Sequence, residues 1–332
     1  MELIKKNMFL ILAVLGIAAQ IGCSGNDDRT VEPDPVQKTP VFQNPRPVSV
    51  QGYYGDLMEP SISRDGQILF FNNLNADLLP SGASNETDLH YAMRIDDVTF
   101  EYVGEVDGAN IDNVPDQNEL EGVPSSDKNN RLYFIYTGDY FDDSGPNYLK
   151  SIFYGDFSNG GLANVKSIAN LGAKRSVNEN PVPGEVNFDA EIHYDGEELY
   201  FVEGIFSGNS FPDEANIGLA TKVNDDFVVH LDSKNLFAKI NSDALEYAPS
   251  ISTNRLEFYF TRATGSVDSG LDFGVYAATR NSISEPWDNV ERLDVIIGEI
   301  TEAPSISFDG KLLYYHQKVN GLYQIYVVER VE

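Results

Sequence analysis

Pro60-Ser61-Ile62-Ser63-Arg64-Asp65-Gly66, followed by Leu69-Phe70-Phe71, decides the fold, because it returns near the end of the chain as Pro304-Ser305-Ile306-Ser307-Phe308-Asp309-Gly310 with Leu313-Tyr314-Tyr315. Each copy combines a short strand of small residues, a turn built on Asp-Gly, and a strand in which aromatic and aliphatic side chains alternate. A hairpin that recurs within one chain is the signature of a repeat architecture.

Three further copies of this hairpin lie between the first and the last. The distance from the first residue of a copy to its last aromatic is 11 residues in four copies and 10 in the second, a register that chance does not keep. Copies begin 55 to 66 residues apart, which leaves room for four strands in each unit. The further copies are Pro124-Ser125-Ser126 with Leu132-Tyr133-Phe134, Ala190-Glu191-Ile192-His193 with Leu199-Tyr200-Phe201, and Pro249-Ser250-Ile251-Ser252 with Phe258-Tyr259-Phe260.

The sequence predicts an all-β, five-bladed β-propeller built from four-stranded antiparallel blades. A third strand follows most hairpins, as in Leu89–Arg94 and Ile325–Arg330, and no long stretch has helical periodicity. The last copy ends at Glu332 after its third strand, so we expect Val48–Tyr54 to complete that blade and close the ring, because open sheet edges cost stability. The predicted domain comprises residues 48–332. The small residues of the first strands are expected to serve packing near the axis, among them Ser61, Ser250 and Ser305.

The recurring Pro-Ser-x-Ser-x-Asp-Gly and the aromatic second strand resemble the TolB-like, WD-like propeller repeat. The resemblance covers nearly all of residues 48–330. It implies architecture rather than chemistry, because that family includes periplasmic scaffold modules, peptidase-associated propellers and surface lipoproteins. Function must therefore be argued from individual residues.

The N-terminus has the order of charged and then apolar residues that is typical of a secretory signal. Lys5 and Lys6 precede an apolar stretch from Met8 to Ala19, which is too short to span a bilayer as a helix. This stretch leads into Gln20-Ile21-Gly22-Cys23, which resembles a bacterial lipobox. Cys23 is the sole cysteine of the chain, and lipidation accounts for an unpaired cysteine in an exported protein.

We therefore expect a signal peptide over residues 1–22, then a lipidated Cys23 and a Pro-rich tether over residues 23–47. The acidic pair Asp27-Asp28 resembles the surface-export tags of Bacteroidetes lipoproteins, which favours an outer-membrane lipoprotein on the periplasmic or the cell-surface face. The formal net charge of −29 opposes binding to nucleic acid. The expected partners are the membrane, through the lipid anchor, and a glycan or a protein, and the chain is expected to be a monomer.

The candidate site follows from strand direction. Because strands alternate in direction, the segment before each first strand and the loop after each second strand lie on one face, opposite the Asp-Gly turns. Acidic residues precede all five first strands and are expected to gather at the mouth of the central channel, while His193 replaces a packing serine beside Glu191. The candidate catalytic and ligand-binding acids are Glu59, Glu121, Asp189, Glu191, Glu246 and Glu302, and His193 is a further candidate for ligand binding.

Converging carboxylates repel one another unless they hold a cation, protons or the donors of a ligand. They can instead be satisfied by backbone N–H groups of their own loops or by basic neighbours. A third interpretation is sugar binding or cleavage, since several glycosidase families use five-bladed propellers with two or three central acids, one acting as general acid and another as base or nucleophile. The residues alone leave these alternatives open.

The lipid anchor, the spacer and the clustered loops favour a binding module for a glycan or a protein, with a glycoside hydrolase-like enzyme as the alternative. No acid set is flanked by a recognisable glycosidase motif. No resident cofactor is expected, although calcium is conceivable because the runs Asp139–Asp143 and Asp268–Asp272 offer several oxygen ligands, without the spacing of an EF-hand. The four histidines show no zinc-ligand spacing.

The predicted anchor gives a first test. Replacing Cys23 with serine removes the only thiol that can be acylated, so the variant should move from the membrane fraction to the soluble fraction. Immunoblotting of the two fractions measures this. A Ser24→Ala variant, changed beside the cysteine, should stay membrane-bound. Retention of the Cys23→Ser variant at the wild-type level would show that the chain is not a lipoprotein.

Overall fold

The computed structural model describes residues 37–73, 87–110, 120–137, 151–168, 171, 185–205, 211–224, 226–266 and 270–331. Within these ranges the chain is almost entirely β, with one short helix, α1 (Ser233–Leu236). No helix in the described ranges is long and apolar enough to cross a membrane. The predicted anchor at Cys23 lies outside the described residues.

Five sheets correspond to the five repeats. Blade one contains β2 (Ser49–Gln51), β3 (Met58–Ile62), β4 (Ile68–Asn72), β5 (Leu89–Arg94) and β6 (Thr99–Glu105); blade two contains β7 (Leu120–Ser126), β8 (Arg131–Thr137), β9 (Ile152–Ser158) and β10 (Gly161–Ser167). Blade three contains β11 (Glu185–Ile192), β12 (Glu198–Ile205), β13 (Glu214–Val223) and β14 (Asp226–Val229); blade four contains β15 (Leu245–Ile251), β16 (Glu257–Ser266), β17 (Gly270–Thr279) and β18 (Asp288–Arg292). Blade five contains β19 (Glu299–Ile306), β20 (Leu312–Val319), β21 (Leu322–Arg330) and β1 (Phe42–Pro47).

The predicted five-bladed propeller is confirmed. In each blade the four principal strands run antiparallel, and the innermost strands β3, β7, β11, β15 and β19 contact their neighbours around a closed ring. The aromatic second strands fill the space between blades, where Phe71, Phe134, Phe201 and Phe260 are fully buried. The alternation of aromatic and aliphatic residues thus supplies the core that holds the ring together.

An N-terminal strand closes the ring, but it is not the predicted one. β1 pairs antiparallel with β21, joining Phe42 to Arg330 and Pro47 to Tyr326. The segment chosen from the sequence, Val48–Tyr54, instead contributes β2, which runs parallel to β6 as a fifth strand of blade one. The prolines at 45 and 47 suggested a linker. An outer strand nevertheless tolerates proline, because one of its edges makes no hydrogen bonds to another strand. In β1 the pairing is also interrupted between Gln43 and Arg46.

A β-bulge occurs at the same place in every inner strand. It precedes the repeated serine and puts one non-glycine residue per blade into the left-handed region, with φ between 49° and 53°. Such conformations are costly for residues with a Cβ atom and cluster at functional sites. The five bulge residues are Glu59, Val123, Asp189, Ala248 and Ala303.

The serine position of the inner strand joins neighbouring blades. The Ser305 hydroxyl accepts a hydrogen bond from the Ile62 amide at 3.2 Å, and the Ser250 hydroxyl accepts one from the Ile306 amide at 3.1 Å. Ser125 receives the Ile192 amide in the same way. The serines therefore act as acceptors between blades in addition to fitting the crowded axis.

The Asp-Gly turns occupy the opposite face, as predicted. In blade one, the Ser63 hydroxyl accepts the Ile68 amide at 2.9 Å and the Asp65 carboxylate accepts the Gln67 amide at 3.0 Å. The described chain also begins at this face, where the Gln37 amide donates to the Asn281 side chain at 2.9 Å. The face with the bulges is therefore the one away from the beginning of the described chain.

Ring closure gives a second test. Phe42 is buried, its ring centroid lies 5.9 Å from that of Tyr259, and the Arg330 guanidinium lies over it. Phe42→Ala should lower the free energy of unfolding by about 3 kcal/mol through lost burial and the cavity left behind. Val41→Ala, in the neighbouring exposed position, should change it by less than about 0.5 kcal/mol. Urea denaturation of the two variants compares them, and equal losses would contradict a closing role for β1.

Candidate active site

Three of the candidate acids meet at the axis, and each comes from a different blade. Glu59 and Asp189 occupy the bulge position of blades one and three, whereas Glu302 directly precedes the bulge residue of blade five. The charges of Glu59 and Glu302 both act on Asp189, and that of Glu302 acts on Glu59. The three carboxyl groups thus share one electrostatic environment.

Glu302 is buried and accepts a hydrogen bond on each oxygen. Its Oε2 lies 3.1 Å from Nε2 of His316, the residue directly opposite in β20. Its Oε1 accepts the hydroxyl proton of Tyr247, which reaches across from β15 in blade four. Burial, followed by the charge of Glu302, raises the pKa of Tyr247 well above its ordinary value, so the phenol keeps its proton.

Glu59 and Asp189 have a common second role, which is to bind the next blade. Glu59 Oε2 accepts the amide of Val123 at 3.2 Å, and Asp189 Oδ2 accepts the amide of Ala248 at 2.8 Å. Both donors are themselves bulge residues of the following blade. The two acids therefore make equivalent contacts at two different blade junctions.

Burial sets the protonation of these two acids. It raises the pKa of Asp189 well above its usual range, and the neighbouring charges of Glu59 and Glu302 add to the effect. Burial also raises the pKa of Glu59, with a further contribution from Glu302, against the opposing influence of His316 and hydrogen bonds from Asn72 and Val123. The cluster consequently combines two acids whose pKa values are raised with a carboxyl group that has two donors.

Glu246 and Glu121 do not belong to this cluster. Both lie two residues before the bulge residue of their own blade. The three axial acids lie at the bulge or one residue before it, so the two groups occupy different positions in the repeat. The fully buried carboxylate of Glu246 accepts hydrogen bonds from Arg262 Nε at 2.8 Å and from the Ser242 amide at 3.0 Å. Glu121 is also buried. Glu246 therefore forms a structural ion pair with Arg262.

Glu191 occupies the repeated serine position of blade three and takes over its structural role. Its Oε1 accepts the Ile251 amide at 3.3 Å and lies 3.2 Å from the Arg64 guanidinium, while Oε2 accepts the Ser125 hydroxyl. Arg64 also donates to the Ser126 carbonyl at 2.6 Å. Glu191 therefore connects four blades deeper along the channel.

His193 lies at the turn face, away from the acids, because it follows the inner strand rather than preceding it. Its Nε2 is 3.0 Å from the carbonyl of Thr253 in the next blade, and Nδ1 is 2.9 Å from Asp195. His193 is therefore separated from Glu59, Asp189 and Glu302 by the length of the inner strand. Its contacts join the turns of blades three and four.

Within the described part of the chain, the cavity at the axis is small. It has about 20 Å³ of space for water, enough for a single molecule, and it is lined in part by Glu59, Val123, Glu191 and Ala248. The loops that follow the second strands on this face lie in part outside the described residues. The same holds for the suggested calcium runs, although Asp272 is described and pairs with Arg292 at 2.9 Å. In the described ranges no three His, Cys, Asp or Glu side chains are arranged to hold a metal ion.

Several solved structures have folds similar to that of this chain. No protein-family model and no curated protein matches the chain. A solved structure named as a glycoside hydrolase is 12% identical, with a TM-score of 0.57 over 89% of this chain and 92% of its own. A family 117 glycoside hydrolase from Zobellia galactanivorans is 14% identical, with a TM-score of 0.53 over 89% of this chain and 92% of its own. The exo-β-1,3-galactanase 1,3Gal43A from Clostridium thermocellum is 14% identical, with a TM-score of 0.52 over 88% of this chain and 62% of its own.

These neighbours correct two expectations from the sequence. At such low identities the likeness shows a shared fold, and that fold is the five-bladed propeller of glycoside hydrolases rather than a TolB-like or WD-like repeat. The expectation of a binding module is also wrong, because the similar structures are named as hydrolases. These neighbours favour the alternative drawn from the sequence, a glycoside hydrolase-like enzyme.

The raised pKa of Asp189 gives a third test. Above the ordinary carboxyl pKa of about 4 the folded protein holds a proton that the unfolded chain has released, so stability falls as pH rises through the raised folded-state pKa. Asp189→Asn keeps an acceptor for the Ala248 amide without a charge, and should raise the free energy of unfolding by about 1 kcal/mol at pH 7 and flatten its pH dependence.

Chemical denaturation between pH 4 and 8 measures this, with Asp65→Asn at an exposed turn as the control. A variant at Asp189 that is less stable than wild type at pH 7, with an unchanged pH dependence, would show that Asp189 is ionised in the folded protein.

Proposed function

We propose that the protein is a glycoside hydrolase-like enzyme whose catalytic groups are Asp189, Glu302 and Glu59. The observation that carries the proposal is the meeting at the axis of three carboxyl groups from three blades, with burial raising the pKa of two of them. Asp189 and Glu59 are held toward the protonated form, whereas Glu302 receives donors on both oxygens. Cleavage of a glycosidic bond requires this combination of a proton-bearing acid and an ionised carboxylate.

Each residue has a role that follows from its surroundings. Asp189, whose pKa is raised most clearly, would protonate the leaving-group oxygen as general acid. Glu302 would act as the base that activates water or as the nucleophile. The charge of Glu59 acts on Asp189, and the charge of Glu302 acts on Glu59. We assign it to tuning the general acid.

The expected location at the outer membrane is part of the same proposal. An outer-membrane lipoprotein anchored through Cys23 would meet glycans outside the cell or in the periplasm. The described chain begins at the turn face, so the acids lie at the end of the propeller away from that beginning. A monomer needs no further surface for this arrangement. Neither a cofactor nor calcium is required by the roles assigned to the three acids.

Substitution of the acids tests the proposal. Asp189→Asn, Glu302→Gln and Glu59→Gln should each lower kcat by about 10²-fold or more while the protein remains folded, because each removes or perturbs a proton-transfer group. Glu246→Gln should instead lower stability, since it weakens the buried pair with Arg262. Asp309→Asn at the turn face is the control and should keep full activity.

The measurement is reducing-sugar release from a panel of polysaccharides and aryl glycosides, beside thermal melts. The panel should include a β-1,3-galactan, because one structural neighbour is an exo-β-1,3-galactanase. Full activity of folded Asp189→Asn and Glu302→Gln, or no turnover of any glycan by the wild-type protein, would refute the proposal.

A further inference from the structure

His316 uses both ring nitrogens, and the fold fixes which of them holds the proton. The ring is buried, with Nδ1 3.0 Å from the backbone nitrogen of Glu59 and Nε2 3.1 Å from Oε2 of Glu302. A backbone N–H can only donate, so Nδ1 must be the acceptor and has no proton. The proton of the neutral ring therefore lies on Nε2 and is directed at Glu302.

The repeats show that this is more than a packing role. Asn72 in blade one and Thr261 in blade four occupy the position equivalent to His316, each opposite the residue that precedes the bulge. Asn72 accepts the amide of Val123 at 3.2 Å and Thr261 accepts the amide of Ala303 at 2.9 Å, just as His316 accepts that of Glu59. The structural task needs only an acceptor. Histidine adds a second nitrogen that is directed at an acid.

Tyr247 supplies the matching donor from the other side. Its hydroxyl donates to Oε1 of Glu302, so two neutral donors from two blades hold the two oxygens of one carboxyl group. Donors of this kind stabilise the ionised form of a carboxyl group and fix its orientation. The protonated form would have to displace one of them, because its O–H cannot accept where the donor points.

We infer that His316 and Tyr247 are positioning residues that fix the orientation of the Glu302 carboxyl group by donating to its two oxygens. The catalytic meaning of this inference rests on the proposed function, whereas the two hydrogen bonds to Glu302 are a property of the resting protein. The titratable groups around Glu302 and His316 are Tyr247 on β15, Asp189 on β11, Glu59 on β3 and Tyr323 on β21, whose ring centroid is 5.4 Å from that of His316.

The inference predicts a defined pH dependence. Without one of the two donors the ionised form of the Glu302 carboxyl group is less stabilised, so the acidic limb of the pH–kcat profile should move upward. The alkaline limb should stay in place, because the donors to Glu302 do not act on it.

The first experiment reads the tautomer directly and needs no substrate. In the full-length protein labelled with ¹⁵N-histidine, the His316 ring should show the neutral pattern with the proton on Nε2 at pH 7, its signals being assigned by their loss in His316→Asn. A protonated ring, or a proton on Nδ1, would overturn the inference.

The second experiment separates the two nitrogens of His316. His316→Asn places an amide oxygen near the Nδ1 position and should keep the acceptor for the Glu59 amide, as Asn72 does in blade one, but it loses the donor to Glu302. His316→Gln places an amide nitrogen near the Nε2 position and should keep that donor. We expect wild-type thermal stability with a shifted profile for His316→Asn, and the reverse for His316→Gln.

The size of the shift can be stated. In His316→Asn and in Tyr247→Phe the acidic limb should rise by about one pH unit, and kcat at a pH on that limb should fall about tenfold, with KM changed by less than about twofold. Ser250→Ala is the control, because it removes an acceptor between blades four and five, for the Ile306 amide, at residues that are neither paired with nor next to Tyr247 and Glu302; it should lower stability and leave both limbs unchanged.

The outcomes distinguish this inference from the proposed function. If the wild-type protein cleaves glycans and neither His316→Asn nor Tyr247→Phe moves a limb, the positioning role is wrong although the hydrolase assignment stands. If the wild-type protein cleaves none, the hydrolase assignment fails. The ring tautomer, together with the pH dependence of stability in His316→Asn, then decides the inference alone.

Discussion

The structure depends on one hydrogen bond that recurs around the axis, from the amide of a bulge residue to a polar side chain of the preceding blade. In the described residues it is made at four junctions, with His316, Asn72, Asp189 and Thr261 as acceptors. A buried amide left without an acceptor would cost on the order of 1–3 kcal/mol, so each junction must supply a polar group close to the axis. The same requirement that holds the blades together therefore brings ionisable side chains to the axis, and two of them, Asp189 and His316, are residues to which we assign chemical roles.

The fold could be predicted from the sequence because the hairpin repeat reports physical needs that every blade shares. Small residues fit the crowded axis, Ser63 and Asp65 cap the turn amides, and aromatic second strands fill the space between blades. Any propeller can arrive at the same solution, and for that reason the pattern indicated a propeller correctly but indicated the wrong repeat family. The closing strand was misplaced because the prolines at 45 and 47 suggest a linker, and only the neighbouring edge of β21 explains how a strand can contain them.

The candidate site was predicted in part. Glu59, Asp189 and Glu302 were found because acids precede first strands, but so do Glu121 and Glu246, and a one-residue change of register turns a side chain to the other face. The sequence does contain a signal that separates them, which is the distance from each acid to the proline or alanine that begins its copy. Glu59 and Asp189 lie one residue before it and Glu302 lies two residues before it, whereas Glu121 and Glu246 lie three residues before it. His316 and Tyr247 have no such signal. Their roles arise from contacts between strands of different blades, which no spacing along the chain records.

The seam between β1 and β21 joins residues from opposite ends of the described chain, such as Phe42 and Arg330. In the other four blades each principal sheet is built from consecutive strands, so it can form as soon as its own segment is available. Blade five needs strands from both ends of the described chain, so pairing β1 with β21 closes a loop that contains the other four blades, and the entropic cost of closing a loop grows with its length. The same closure places blade five beside blade one, where the Glu59 amide donates to His316.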